Sequence, residues 1–311
     1  MTREWKEQGE RSTPLALKLL VRSALLLGRR SLSLILWPIA AYFWLAHPEA
    51  RAASRTYLAR VLGREPRAGE IVNHFRHFAA VSVDRVYLLS GRSSRVALAS
   101  SYGPGAKETL MSGRGCVLAV AHFGSFEALR VPPLRKRVRT VRIVLDRAVG
   151  RMAMALLEAL DSELAAGIID ASRPGPDVML DVKRALDAGD IVGIMADRAR
   201  GDERAVVVEF LGGKVRMPAG PWMIAATLGV PVVLGFAALR AGRYECSLEL
   251  FSEKLDVPRA TRELALQAIV QGYAQRLEEA VRASPYNWFN FYDYWLPAED
   301  PAGNAVASAQ H

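Results

Sequence analysis

A histidine and a glutamate five positions apart, His122 and Glu127 in the stretch AVAHFGSFEALR (residues 119–130), are a combination of side chains able to move a proton. An imidazole titrates close to neutral pH, so it can take a proton from a hydroxyl and return it later in the same reaction. A carboxylate beside it can hold the ring in one tautomer. Positions five apart do not share a face of a regular helix, so contact between them needs a strand, a turn and a helix in succession. The residues supply these: CVLAVAH is an apolar strand-like run, Gly124 permits the turn, Ser125 can cap, and FEALR starts a short helix that Pro132 and Pro133 stop. His122 then stands at the carboxyl end of a strand, where open α/β sheets carry their reactive groups. By residue types alone, the pair reads equally as a proton-handling dyad and as a structural histidine with a polar neighbour.

The elements that must position this stretch show a change of period near Gly115. From about Pro48 to Leu110 the pattern is helical. RTYLARVLG closes at Gly63, and AGEIVNHFRHFAAVSVDRVYLLSG sets Ile71, Phe75, Phe78 and Val81 near one face and closes at Gly91. Beyond Gly115, CVLAVAH, VRIVLD, GIID, IVGIMAD, AVVVEF, PVVLGFAAL and RYECSLEL read as strands, with helices over 152–164, 177–188, 221–228 and 259–282. Strands alternating with helices predict an α/β fold with a mixed central sheet flanked by helices, residues 231–250 forming an antiparallel hairpin around RAGR. The aromatics near the end, Trp288, Phe289, Phe291, Tyr292 and Trp295, either seal the core or line an apolar groove.

Apolar residues make up 51% of the 311 and charged residues 23%, a globular and not a disordered profile. The net charge of +9 is uneven: residues 130–151 hold Arg130, Arg135, Lys136, Arg137, Arg139, Arg142, Arg147 and Arg151 against Asp146. Such a surface favours lipid headgroups, phosphorylated substrates or an acidic carrier protein, or else is a solvated face. No helix-turn-helix, zinc-finger or RNA-binding aromatic signature accompanies it, so nucleic acid is not an expected partner. The run SLSLILWPIAAYFWLA, residues 31–46, has sixteen uncharged residues, short of the ~20 that a helix needs to cross a bilayer. It either dips into a membrane, just spans it, or is a buried core helix. Arg29 and Arg30 before it, Trp37, Tyr42 and Trp44 within it, and Arg51, Arg55 and Arg60 after it suit an anionic lipid interface. Cys116 and Cys246 read as buried free thiols, and His74 and His77 lack a third ligand, so no metal site is expected.

His122-Phe-Gly-Ser-Phe-Glu127 fits an H-x4-D/E motif, and residues 189–239 (GDIVGIMADRARGDERAVVVEFLGGKVRMPAGPWMIAATLGVPVVLGFAAL) form a second block. Together they resemble the lysophospholipid acyltransferase superfamily over nearly the whole chain, and in particular its bacterial branch of late lipid A acyltransferases. Asp197, Arg198, Phe210 to Gly212 and Pro218 to Trp222 stand where that branch has matching elements. The terminus SPYNWFNFYDYW (residues 284–295) departs from the lipid A enzymes. It resembles instead the acyltransferases that accompany aryl polyene and xanthomonadin-type pigment synthesis.

The resemblance implies a glycerolipid acyltransferase-like fold and transfer of an acyl group from a thioester to a hydroxyl, with no cofactor. It implies His122 as general base oriented by Glu127, and Gly124, Asp197, Arg198, Gly220 and Pro221 as substrate-binding residues. Donors for a tetrahedral oxyanion would be the backbone beside Gly220, at the start of the Pro221 helix, or Arg198. Arg198 could instead hold a substrate phosphate or carboxylate, or only pair with Asp197. Arg135, Lys136, Arg137 and Arg139 would face an acidic acyl carrier protein, and coenzyme A would be attracted too. The expected organisation is an N-terminal membrane anchor (1–47), an acyltransferase domain (48–296) and a disordered tail (297–311). The expected location is the inner (cytoplasmic) membrane, with the catalytic domain on its cytoplasmic side. The alternatives are a lysophospholipid or lipid A precursor as acceptor, or a catalytically inert membrane adaptor of the same fold.

Overall fold

Three helices lead the chain in the computed structural model, which describes residues 29, 34–130, 140–147, 151–199, 201 and 203–297. Helix α1 covers 34–46, α2 Pro48–Leu62 and α3 Ala68–Leu89. Gly63 ends α2 at φ 66°, the left-handed cap expected there. The start of α3 is fixed by Glu70, whose carboxylate accepts the Arg67 backbone N–H at 2.7 Å and pairs with Arg64. Among the described residues no helix is long and apolar enough to cross a membrane. Residues 1–28 and 30–33 of the expected anchor, and 298–311 of the expected tail, lie outside the described residues.

The rest alternates in the order β1 (Ala97–Tyr102), α4 (Ala106–Met111), β2 (Cys116–Gly124), α5 (Phe126–Leu129), β3 (Val141–Leu145), α6 (Arg151–Leu160), α7 (Ser162–Ala166), β4 (Ile169–Asp170), α8 (Gly175–Asp187), β5 (Ile191–Met195), β6 (Ala205–Phe210), β7 (Gly213–Pro218), α9 (Gly220–Leu228), β8 (Val232–Arg240), β9 (Arg243–Ser252) and α10 (Arg262–Ala283). Seven strands form one sheet in the order β1-β9-β8-β2-β5-β3-β4, and β6 and β7 form a separate antiparallel pair. Within the large sheet only β8 and β9 pair antiparallel, through the expected tight turn, where Ala241 (φ 45°) and Gly242 (φ 79°) are both left-handed. The fold is therefore the mixed α/β sheet that the sequence predicts, and it is mostly parallel.

Strand β2 is central and apolar on both faces, as a parallel strand covered on both sides must be. Val117, Ala119 and Ala121 join one core with Trp222, Tyr273 and Leu277, while Cys116, Leu118 and Val120 join the other with Val86, Leu110 and Leu129. Both cysteines are buried and free. The segment read as helical up to Leu110 in fact contains β1. ALASSY is a mostly exposed edge strand, so it carries no apolar alternation to read, and it is held by parallel pairing with β9. The helix expected over 152–164 is broken, because the Asp161 side chain accepts the Leu164 N–H and caps a new helix, α7.

Candidate active site

The reactive stretch sits where β2 loses its regular pairing. Val120 pairs with Gly235 of β8, but the next pair is Gly124 with Ala237, so β2 bulges between them and carries His122 in the bulge. Gly124 makes this possible. Its φ is +57°, and a Cβ there would stand 1.6 Å from the Ala237 carbonyl oxygen. Freed from the ladder, the backbone of His122 is taken up elsewhere: its N–H donates to Asp197 Oδ2 at 3.1 Å, and its carbonyl accepts the Phe289 N–H at 3.0 Å.

Parallel register brings Asp197 to the same place. Val120 of β2 is opposite Met195 of β5, so two residues further on the strand ends set His122 beside Asp197. The imidazole Nδ1 lies 2.9 Å from Asp197 Oδ1. An ionised carboxylate only accepts, so Nδ1 carries the hydrogen and Nε2 of the neutral ring keeps its lone pair. The Asp197 side chain is fully buried, whereas that of His122 is 33% exposed, which leaves the ring open to a substrate. Burial alone would push the Asp197 carboxyl up. The His122 ring, the Arg198 guanidinium and the Trp288 indole outweigh it and hold the carboxyl well below the usual carboxylate range.

Arg198, expected beside this site, is there. Its Nε lies 3.4 Å from Asp197 Oδ2, its Nη2 donates to the Phe289 carbonyl, and its guanidinium lies 5.3 Å from the ring centre of Tyr292 and 5.8 Å from that of Trp288. Glu127 is placed differently from the expectation. It accepts from Ser125 Oγ at 2.9 Å and pairs with Arg85 of α3 at 2.8 Å, so the carboxylate on Nδ1 of His122 is that of Asp197. The cap of α5 and its packing on α3 are the reason. Ser125 caps α5 by accepting the Ala128 N–H, which puts Glu127 in the first turn of a helix packed on α3, where a cation is waiting. Gly220 and Pro221 open α9, which packs on β2. Its Trp222 packs on Tyr273, whose hydroxyl donates to the Val120 carbonyl where the bulge begins. Arg135, Lys136, Arg137 and Arg139 lie outside the described residues. Among the described residues no three His, Cys, Asp or Glu side chains are grouped to hold a metal ion.

The terminal aromatics seal the core behind the dyad. Trp288 is fully buried, and its indole N–H donates to Asp197 Oδ2 at 3.0 Å. The Tyr294 hydroxyl donates to the Asp197 carbonyl, and the Trp295 indole to that of Phe210. Sequence reasoning did not single out Trp288 as a partner of Asp197. The available signal was a polar residue ending each of two adjacent parallel strands, VAH and MAD, with indoles further along the chain needing acceptors. His74 belongs to this shell and not to a metal site: its Nε2 donates to the Trp288 carbonyl at 2.9 Å, so Nδ1 accepts from Ser54 Oγ at 2.8 Å. His77 bonds its own helix at Asn73.

Residues 15–296 match the protein family described as bacterial lipid A biosynthesis acyltransferase. None of the curated proteins matches the chain.

Burial, only partly offset by the bond to Trp288, pushes the His74 imidazole from 6.5 down to about 3. The unfolded chain therefore binds this proton more readily than the folded one. The stability that neutral His74 allows is complete above pH 6.5 and is lost as pH falls towards 3. Between pH 7 and pH 5 the wild-type chain should lose about 2 kcal/mol more stability than a His74→Asn variant, measured by urea unfolding. Equal losses in the two proteins would contradict the buried neutral assignment.

Proposed function

The chain belongs to the bacterial lipid A biosynthesis acyltransferase family, and on that premise we propose that it transfers an acyl group from a thioester donor to a hydroxyl of a lipid acceptor at a membrane surface, with His122 as general base. The observation that carries this reading is the bond from the partly exposed imidazole of His122 to the buried carboxylate of Asp197 at the carboxyl end of the central strands. With the Nδ1–H on Asp197, Nε2 is the nitrogen that takes the proton of the acceptor hydroxyl as its oxygen attacks the thioester carbonyl. The tetrahedral intermediate collapses by breaking the carbon–sulfur bond, and the imidazolium returns the proton to the leaving thiolate. Donors at the start of α9 beside Gly220 and Pro221 would steady the oxyanion. Glu127, joined to Ser125 and Arg85, would fix the turn that follows the base.

A donor with a phosphate-bearing arm, acyl carrier protein or acyl-coenzyme A, is supported by charge. Arg142, Arg147, Arg173 and Arg184 outnumber Asp170 and Asp181 around a cavity of about 510 Å³ beside β4, on the same side of β2 as β5 and Asp197, although Arg142 pairs with Asp190 and both Arg173 and Arg184 with Asp181. The unbalanced basic run around Arg135, Lys136, Arg137 and Arg139 would add long-range attraction for an acidic carrier. The family's description favours a lipid A precursor as acceptor, while the terminus SPYNWFNFYDYW is what supports a pigment-linked lipid.

Membrane association rests on α1. Leu36 and Ala40 are buried against the domain, while Leu34, Ile35, Trp37, Ile39, Tyr42, Phe43 and Leu45 are exposed. An apolar face of this size beside basic residues suits a helix lying in the interface of an anionic bilayer, here the cytoplasmic face of the inner membrane.

Two outcomes test the reading. His122→Ala should lower acyl transfer to lipid in isolated membranes by roughly 10²- to 10⁴-fold, and Asp197→Asn should fall in the same range. Unchanged transfer in His122→Ala would overturn the mechanism. Replacing Leu34, Tyr42 and Leu45 together with Glu should weaken co-sedimentation of the full chain with phosphatidylglycerol-containing vesicles by about tenfold or more. Equal sedimentation of the two proteins would remove α1 as the membrane contact.

A further inference from the structure

The Asp197 carboxylate is reached from three directions, and one of them ties the end of the chain to the reaction. Its Oδ1 takes the His122 ring, and its Oδ2 takes both the His122 backbone N–H and the indole Nε1–H of Trp288 at 3.0 Å. Trp288 is itself held from every side. Its ring lies edge-on against Tyr57, Phe210 and Tyr294, with centroids 5.1, 5.2 and 5.1 Å away. Its carbonyl accepts from His74 Nε2, and its neighbour Phe289 bonds the carbonyl of His122. A series of bonds therefore runs Ser54, His74, Trp288, Asp197, His122, joining α2, α3, the segment after α10, the turn that follows β5, and β2. Ser54, His74 and Trp288 each donate to the next member, and Asp197 accepts from Trp288 on one side and His122 on the other.

We infer that Trp288 is a positioning residue for the acyl-transfer reaction: its indole N–H fixes the second oxygen of Asp197, so that the first oxygen stays aimed at Nδ1 of His122 and Nε2 stays aimed at the substrate. Without the indole, Oδ2 is left with the His122 backbone N–H at 3.1 Å and the Arg198 guanidinium at 3.4 Å, so the carboxylate turns more readily about its Cβ–Cγ bond and the ring that depends on it samples unproductive orientations. The placement of the Arg198 guanidinium over the rings of Trp288 and Tyr292 adds to the same clamp, because it sets the guanidinium beside the carboxylate. This inference rests on His122 being the base.

The test replaces Trp288 alone with 3-benzothienylalanine, which keeps the ring's shape and has sulfur in place of the N–H, and in parallel with 7-azatryptophan, which keeps the N–H. Loss of one hydrogen bond to a charged group predicts a fall in kcat of about 10- to 100-fold for the benzothienyl protein, with KM for donor and acceptor within about twofold of wild type. The azatryptophan protein should retain wild-type kcat and unfolding midpoint, whereas the benzothienyl protein should unfold at a lower midpoint but be fully folded under the assay conditions. A benzothienyl protein that is folded and has wild-type kcat would overturn the inference, as would equal losses in both substituted proteins. His122→Ala is run alongside. If it retains activity, the general-base reading itself fails; if it is inactive while the benzothienyl protein is not, only the role of Trp288 fails.

Discussion

A fully buried carboxylate must find donors for its oxygens or lose its charge, and the architecture around Asp197 answers that demand. The side chain has no solvent access, yet its carboxyl is held well below the usual range by the His122 ring, Arg198 and Trp288. The same bonds that keep it ionised orient the imidazole. Stability and chemistry thus depend on one group: any change that leaves Asp197 short of a donor disturbs the core and releases His122 together.

The sheet explains why these donors converge. Parallel pairing of β2 with β5 brings two polar residues to adjacent strand ends, and the bulge of β2 against β8 turns the backbone of His122 away from the ladder and towards Asp197. Gly124 permits that bulge because the Ala237 carbonyl occupies the space of a side chain. The segment after α10 then closes over the strand ends. Phe289 pairs with the freed carbonyl of His122, Tyr294 takes the carbonyl of Asp197, and Asn287 bonds Leu239 at the backbone N–H and carbonyl. Of the two readings of these aromatics, sealing the core is what the structure shows, with Trp288, Tyr294 and Trp295 each donating to a carboxylate or backbone acceptor.

Much of this was legible in the sequence. Most strands of the central sheet, the hairpin around RAGR and the strand–turn–helix at His122 follow from apolar periodicity and turn glycines, and the presence of Asp197 and Arg198 at the site follows from the family resemblance. The pairing of His122 was harder, because a carboxylate five residues away and one 75 residues away are both chemically suitable, and only the register of β2 with β5 distinguishes them. Glu127 is drawn off by Arg85, a contact between α5 and α3 that no local pattern encodes. The same holds for Trp288 and His74, whose partners lie far along the chain, and for β1, an exposed edge strand recognisable only by its pairing with β9.

The central claim is that Asp197 holds His122 as the Nδ1–H tautomer with Nε2 ready to accept a proton. Nitrogen NMR of the full chain with labelled histidine, assigned through His122→Ala and recorded at a pH where the ring is neutral, reads this directly. The account predicts a protonated Nδ1 and an unprotonated Nε2 for His122, with the preference lost in Asp197→Asn. A ring protonated at Nε2 in the wild-type protein would contradict it.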